Sequence, residues 1–278
     1  MSNLRKSICQ FDKDKITQGC SWAWFIFFIQ VPFVFWYVKG GPAIHPIVIM
    51  LPLIGWLNFK VEKKGVKGIG IRVVKPGHSL MLAIIFSTLS VIGWLFGLYR
   101  NGSVLIISEL STKTVWELVE SFLVAVFIVA LWEEFVNRGY IQTRLQASWG
   151  FGGVIVTTML FAAMHLPCAL LDFGNNLHWI LLRFLETGLL GFVLGFTYWQ
   201  SGSVLTTITI HGLYNFTVRV FSIMSGFSYQ QVVFNQPSFQ LVWLAVQVGI
   251  TAYLCHTFYK DNPWHTGDPS KRVDCHET

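Results

Sequence analysis

Two adjacent carboxylates and an arginine follow a long apolar stretch of this 278-residue sequence. Glu133 and Glu134 come directly after the run SFLVAVFIVALW, and Arg138 lies four residues beyond Glu134. Residues four apart share one face of an α-helix, so Glu134 and Arg138 can pair and reduce the cost of burying a carboxylate. Glu133 lies about 140° from Arg138 around the same helix and lacks a local partner. It is therefore a candidate general base, although both glutamates could instead serve packing or assembly.

Two further apolar stretches each contribute a histidine with a neighbour on the same helical face. His165 lies one helical turn after Phe161, and Asn215 lies one turn after His211. Each pair is also suited to hydrogen bonding between membrane helices. Together with one carboxylate they could hold a water, which Glu133 would deprotonate while Asn215 and a histidine donate to the developing oxyanion. This set predicts hydrolysis of a bond presented within the membrane.

Residue counts place these groups at matching depths. Glu133 lies 16 residues before Trp149, and His165 lies 16 residues after it. In a helical hairpin both are therefore about 24 Å from the turn. His211 is closer to the turn that precedes its own span. Its depth matches that of Glu133 and His165 if Gly139–Ala147 extends the helix of Glu133 as a polar stretch at the cytoplasmic interface. The sequence thus predicts that these side chains converge in the cytoplasmic half of a helical bundle.

Composition requires that the elements carrying these residues lie in a membrane. Hydrophobic residues make up 53% of the chain and charged residues only 12%, whereas soluble domains carry about 25% charged residues. The mean hydropathy is +0.54. A soluble protein of this size needs more charge to cover its surface. We therefore exclude a soluble enzyme, a disordered protein and a nucleic-acid-binding module, and we expect a polytopic protein surrounded by the lipid bilayer.

The apolar stretches predict an all-α bundle of about eight transmembrane helices, because a helix needs about 20 mainly apolar residues to cross a bilayer. The predicted spans are Trp22–Val38, Ala43–Leu57, Leu80–Tyr99, Trp116–Val136, Val154–Leu171, Trp179–Trp199, Val204–Met224 and Phe239–Tyr259. Lys and Arg are concentrated before the first span, after the second and after the last, which predicts that both termini are cytoplasmic. The expected organisation is a cytoplasmic segment (1–20), a single membrane domain (21–259) and a cytoplasmic tail (260–278).

The three motifs together resemble those of a known membrane-protein family. EEFVNR reads as EExxxR, FAAMH as FxxxH and HGLYN as HxxxN. In this order on successive helices they resemble the CPBP family of CAAX-protease and bacteriocin-processing (Abi) proteins, which includes the Ras-converting CAAX protease. The resemblance covers about residues 114–222. It implies an intramembrane glutamate endopeptidase that cleaves a membrane-associated peptide or protein, either at a CAAX-like C-terminus or in a bacteriocin or pheromone precursor.

The resemblance also implies roles for individual residues. The catalytic residues that hold and activate the water are Glu133, His165, His211 and Asn215. Supporting roles fall to Glu134, Arg138 and Phe161. Asn137 stands where many family members carry Phe, and from one turn away it could hydrogen-bond Glu133.

Alternatives remain for the metal and for the activity. Glu133, His165 and His211 would also suit zinc, but the sequence has no HExxH motif and the resemblance favours a metal-free mechanism, so we expect no metal and no cofactor. The chain could also be a non-catalytic bacteriocin-immunity or scaffold protein, or a proton-coupled transporter with Glu133 and His165 as a relay. For an endopeptidase we expect a multi-pass protein of the cell membrane, with a bacterial plasma membrane favoured and the active site toward the cytoplasm.

Overall fold

Helices dominate the computed structural model, which describes residues 2–38, 45–100, 102, 109–227 and 237–262. These described residues form no β-strand. The main helices are α1 (Ser2–Val38), α2 (Ile47–Trp56), α3 (Pro76–Arg100), α4 (Thr112–Trp149), α5 (Phe151–Met164), α6 (Leu166–Phe173), α7 (Leu177–Ser201), α8 (Val204–Ser225) and α9 (Pro237–Tyr259). The predicted tail beyond residue 262 lies outside the described residues.

Six stretches of the described chain are long and apolar enough to cross a membrane: Thr17–Phe35 in α1, α3, α4, α5 with α6, α7, and Phe239–Tyr259 in α9. Two of the eight predicted spans fall outside this group. α2, extended by a π-helical turn to Val61, is a shorter apolar helix, about 22 Å long against a hydrocarbon core of about 30 Å. α8 is long enough, but its Thr, His and Asn side chains make it more polar. The chain is thus a multi-pass membrane protein.

The helix that carries the two glutamates, α4, is longer than the predicted fourth span, Trp116–Val136. It has 38 residues, which corresponds to about 57 Å and exceeds the thickness of the hydrocarbon core. Two π-helical stretches interrupt it, Val124–Ala130 and Phe135–Gln142. They lie on either side of the glutamate pair. π-Helical turns are rare, and they occur frequently at functional sites.

The predicted fifth span, Val154–Leu171, lies within Phe151–Phe173, a stretch long and apolar enough to cross a membrane, but a break divides it into two helices. α5 ends at Met164 and α6 begins at Leu166, so His165 occupies the break between them. Pro167 explains the break, because it lacks an N–H and its ring clashes with the preceding helical turn. Proline is tolerated in the first turn of a new helix. His165 therefore lies at the end of a helix rather than in the middle of one.

The end of α4 also differs from the interfacial stretch predicted for Gly139–Ala147. The helix is present, but Gln142 and Arg144 within it are buried. Arg144 donates to the main-chain carbonyl of Gly68 at 2.8 Å and to the side-chain oxygen of Asn58 at 2.9 Å. The segment after α2 therefore packs over this end of α4, and polar residues that are interfacial by composition are internal.

The turn predicted near Trp149 and the turn predicted before the span of His211 are both present. Gly150, between α4 and α5, has φ +56°, and Gly202, between α7 and α8, has φ +65°; glycine adopts such positive angles without steric cost. The helices that meet at these turns carry the motifs. α5 packs along α7, and α8 packs along α3 and α4, so the motif residues face the interior of the bundle.

Candidate active site

The acidic pair lies near the middle of α4, in the short α-helical segment Leu131–Glu134. The side chains of Glu134 and Arg138 are fully buried, and Arg138 Nη1 lies 3.3 Å from Glu134 Oε1, the pairing that their spacing predicts. Arg138 Nη2 also donates to the main-chain carbonyl of Gly191 in α7, at 3.0 Å. The charges of Glu134 and Arg138 thus balance each other inside the bundle, and the hydrogen bond to Gly191 attaches Arg138 to a second helix.

His211 of α8 connects the two glutamates. Its Nδ1 lies 2.9 Å from Glu134 Oε1. Because a carboxylate paired with arginine accepts hydrogen bonds, Nδ1 carries the proton and donates it. The other ring nitrogen, Nε2, lies 4.0 Å from Glu133 Oε2, an oxygen that is buried and has no hydrogen-bond partner among the described residues. Two acceptors therefore face one another across a gap that suits a shared water.

His165 joins the site through Phe161. Its Nδ1 lies 2.8 Å from the Phe161 carbonyl oxygen, and since a carbonyl only accepts, this nitrogen carries the proton. The Phe161 ring centre lies 4.8 Å from that of His165 and 6.1 Å from that of His211. The guanidinium carbon of Arg138 lies 4.3 Å from the same ring, within the range of a cation–π contact. Phe161 therefore forms a wall between the two histidines and covers the arginine.

Asn215 lies one turn beyond His211 and is half-buried. It lines a cleft between α4 and α8 together with Val129, which lies one turn before Glu133. His211 faces both glutamates, Glu133 through Nε2 and Glu134 through Nδ1. The structure thus brings both glutamates and His211 into one cluster, attaches the second histidine through Phe161, and places Asn215 on the wall of the adjoining cleft.

The predicted hydrogen bond between Asn137 and Glu133 is made to the main chain. Asn137 Nδ2 donates to the Glu133 carbonyl oxygen at 2.8 Å, not to its carboxylate. A side-chain donor one turn along can satisfy a helical carbonyl in this way. Asn137 therefore stabilises the backbone that carries the carboxylate and leaves the carboxylate oxygens to other groups.

Two glycines of α7 that belong to none of the motifs shape the site. A Cβ atom at Gly191 would lie 3.0 Å from Phe161 Cδ1, and one at Gly195 would lie 3.2 Å from Gln142 Oε1. The carbonyls of these glycines accept hydrogen bonds from Arg138 and Gln142. Small residues four apart let membrane helices approach closely, so the sequence GLLGFVLG carries a signal that would have identified both positions.

The zinc alternative does not fit this geometry. Within the described part of the chain, no three His, Cys, Asp or Glu side chains form a group that could hold a metal ion. The separation of 4.0 Å between His211 Nε2 and Glu133 Oε2 also exceeds the roughly 3.3 Å between two ligands on a tetrahedral zinc with bonds of about 2.0 Å. In the described arrangement, Glu133, His165 and His211 are therefore not assembled as a tetrahedral zinc site.

Comparison with known proteins concerns the same segment of the chain. Residues 115–217 match the family described as type II CAAX prenyl endopeptidase Rce1-like. This segment contains all three motifs. No curated protein and no solved structure matches the chain. The family match confirms the resemblance that the motifs indicate.

Proposed function

We propose that this chain, a member of the CPBP family of CAAX proteases through residues 115–217, is an intramembrane endopeptidase in which Glu133 activates the attacking water. One observation carries the proposal. The buried Oε2 of Glu133 lies 4.0 Å from Nε2 of His211, and His211 is itself held by Glu134. These two acceptors can orient one water between them.

The reaction begins with a water that donates one hydrogen to Glu133 Oε2 and the other to His211 Nε2. Its oxygen is then free to attack the carbonyl carbon of the substrate. As the C–O bond forms, Glu133 takes a proton from the water and a tetrahedral oxyanion develops. When the C–N bond breaks, Glu133 passes this proton to the leaving nitrogen, so that the products are a carboxylic acid and an amine.

Asn215 is the proposed donor to the oxyanion. Its Nδ2 can donate without any change of protonation state. His165 already donates its Nδ1 proton to Phe161, so as a neutral ring it only accepts at Nε2. We therefore assign the oxyanion contact to Asn215 and give His165 the role of accepting an N–H of the bound peptide.

Glu134 and Arg138 are positioning residues in this mechanism. Glu134 accepts the Nδ1 proton of His211, which leaves the Nε2 lone pair available to the water. Arg138 balances the charge of Glu134 at 3.3 Å. The pair therefore fixes the orientation and the tautomer of His211 without touching the substrate.

The proposed topology has eight crossings, including α2 and α8, with both termini in the cytoplasm. Six Lys and Arg residues between positions 60 and 75 support a cytoplasmic α2–α3 connection. The α4–α5 turn is then cytoplasmic as well. The proposed location is a bacterial plasma membrane, and the proposed substrate is a membrane-associated peptide or protein with a CAAX-like C-terminus, or a bacteriocin or pheromone precursor.

Hydrolysis of a fluorogenic prenylated CAAX peptide by the purified protein in liposomes tests this function. We expect the wild type to cleave the peptide and Glu133→Gln to lower the rate by roughly 100-fold or more, as for loss of a general base. Glu109→Gln, which changes an exposed acid before α4, is the matched control. Unchanged cleavage by Glu133→Gln would refute the mechanism, and binding without cleavage by the wild type would favour an immunity or scaffold protein.

A further inference from the structure

The α2–α3 connection (residues 57–75) covers one end of the helix bundle. It packs over the end of α4, and the Val204 N–H at the start of α8 donates to its Gly70 carbonyl oxygen at 2.9 Å. At its own end, Lys75 Nζ donates to the Phe258 carbonyl oxygen of α9 at 2.6 Å. Because α3 and α9 include stretches long and apolar enough to cross a membrane, the connection lies where the bundle meets a membrane surface.

Positive charge faces outward along this connection. Six of its residues are Lys or Arg, and Glu62 is its one acid. Glu62 pairs with the buried side chain of Arg144, so its charge is balanced inside the protein. Lys60, Lys63 and Lys67 are exposed, and none of them lies within ion-pair distance of an acid in the described part of the chain. Three cations within eight residues are therefore available to an external anion.

Exposed apolar side chains lie between and beside these lysines. Trp56 at the end of α2 is 55% exposed, Phe59 in the π-helical turn is 44% exposed, and Val66 is 52% exposed. A tryptophan ring prefers the headgroup region of a bilayer. Lysines interleaved with aromatic and aliphatic side chains are typical of segments that lie against anionic lipids. This mixture favours a lipid over a soluble acidic partner, which would leave the rings in water.

The backbone at Lys63 has a cost that a purely structural turn would avoid. Its φ is +53°, and the Lys64 N–H donates to the Asn58 carbonyl oxygen at 2.8 Å. This hydrogen bond closes the end of the helical segment and puts Lys63 at the position where glycine commonly ends a helix. Left-handed angles disfavour residues with a Cβ atom, so glycine would be more stable here. The exposed ammonium group of Lys63 is thus presented at a conformational cost.

The opposite end of the bundle has a different charge balance. α3 and α8 run away from the connection, so their far ends lie at the other membrane surface, together with the start of α4. The exposed cations described there are Arg100, Lys113 and Arg219, and the exposed acids described there are Glu109, Glu120 and Asp172. Cations and acids are thus equal in number at that end, which provides a control for the effect of charge alone.

We propose that the α2–α3 connection binds the headgroup of an anionic phospholipid. Lys60, Lys63 and Lys67 donate to the phosphate oxygens, because ammonium groups form charge-assisted hydrogen bonds with phosphate. Trp56 and Phe59 lie against the adjoining part of the acyl chains. This interaction goes beyond the proposed function and does not depend on it, since the binding needs neither a peptide nor an attacking water.

A lipid bound here also braces the helix that carries Glu133. Arg144, near the end of that helix, donates to Gly68 and Asn58 of the connection. A ligand that holds the connection in place therefore holds the end of α4. Because a ligand of the folded state raises its stability, we expect anionic lipid to raise the Tm more than zwitterionic lipid does.

Native mass spectrometry of the purified full-length protein tests this proposal, with titration of phosphatidylglycerol and of phosphatidylcholine that has the same acyl chains. Each lysine near an anionic surface contributes roughly fivefold to binding, so we expect the wild type to bind phosphatidylglycerol roughly tenfold or more tightly. Combined replacement of Lys60, Lys63 and Lys67 by Gln should bring this ratio close to one. The matched control replaces the three exposed cations of the opposite end by Gln, which removes the same charge and should keep the wild-type ratio.

Lys63→Gly separates binding of the lipid from stability of the fold. Glycine adopts a φ of +53° without steric cost, so the variant should have a higher Tm than the wild type in detergent without lipid. It should nevertheless lower the preference for phosphatidylglycerol roughly fivefold. A lower Tm together with an unchanged preference would contradict both the strain and the role of this lysine.

Four further outcomes would overturn the proposal. Two are a wild-type ratio near one and an equal fall of the ratio in the control variant. Displacement of phosphatidylglycerol by millimolar inorganic phosphate would assign the lysines to a free anion instead of a lipid. Displacement by a hexaglutamate peptide would assign them to an acidic protein segment. Since no substrate is present in these measurements, they leave the assignment of Glu133 as the base untouched.

Discussion

Replacing Glu134 with Gln keeps the size of the side chain but removes the negative charge that balances Arg138. The side chains of Glu134 and Arg138 are fully buried. In the variant, the buried guanidinium of Arg138 therefore loses its carboxylate partner and keeps its hydrogen bond to the neutral carbonyl of Gly191. Breaking a buried ion pair by removing one partner costs about 3–5 kcal/mol. We expect Glu134→Gln to lower the free energy of unfolding in detergent by that amount.

The same substitution removes the charge that holds the His211 proton on Nδ1. Without it, the ring can turn or exchange tautomers, and Nε2 no longer presents a lone pair to the water. A comparable change of the histidine partner in a serine protease lowers kcat about 10⁴-fold. Because Glu133 remains as the base, we expect a loss of roughly 100-fold or more in kcat, with a smaller change in KM.

Adding Arg138→Met to Glu134→Gln separates stability from catalysis. Arg138→Met removes the guanidinium that Glu134→Gln leaves unpaired, and the loss of a complete buried ion pair costs far less than the loss of one partner. The double variant should therefore regain most of the stability but none of the activity. Urea unfolding followed by circular dichroism gives the first quantity, and peptide hydrolysis gives the second. Additive destabilisation in the double variant, or a wild-type kcat in Glu134→Gln, would refute the positioning roles of Glu134 and Arg138.

Three further predictions concern packing and the metal. Gly191→Ala should destabilise the protein by about 1–3 kcal/mol in thermal unfolding, because its Cβ would lie 3.0 Å from Phe161 Cδ1. Gly249→Ala is the control: its Cβ would have no neighbour within 4 Å, and alanine is favoured over glycine inside a helix by roughly 0.5–1 kcal/mol, so this variant should not destabilise the protein. Arg144→Met leaves Glu62 buried without its main partner, and we expect it to cost about 3–5 kcal/mol and to speed proteolysis of the segment after α2. Treatment with a chelator should leave hydrolysis unchanged; stoichiometric zinc, with activity lost on chelation and restored by zinc, would contradict the metal-free mechanism.

Local spacing was sufficient to predict several features of the site. The pairing of Glu134 with Arg138 follows from four-residue spacing, and the turn at Gly150 follows from the break between two apolar runs. The break at His165 could also have been predicted, since Pro167 lies two residues later and proline ends a helix. These features depend on near neighbours in the sequence.

Contacts between distant segments could not be predicted from the sequence. The hydrogen bond between His211 and Glu134 depends on how α8 rotates against α4, and π-helical turns change the face that α4 presents. Burial of Arg144 depends on Asn58 and Gly68, more than 70 positions earlier. A helix at the membrane interface and a helix covered by a distant segment can have the same polar composition, so composition alone does not distinguish them.

Peptide hydrolysis in ¹⁸O-water, read by mass spectrometry for the wild type, Glu133→Gln and Glu109→Gln, tests the central claim most directly. Attack by a water held between Glu133 and His211 predicts one ¹⁸O atom in the new carboxyl group for the wild type and for Glu109→Gln. For Glu133→Gln it predicts roughly 100-fold less labelled product or lower. Labelled product formed by Glu133→Gln at the wild-type rate would contradict the assignment of Glu133 as the base.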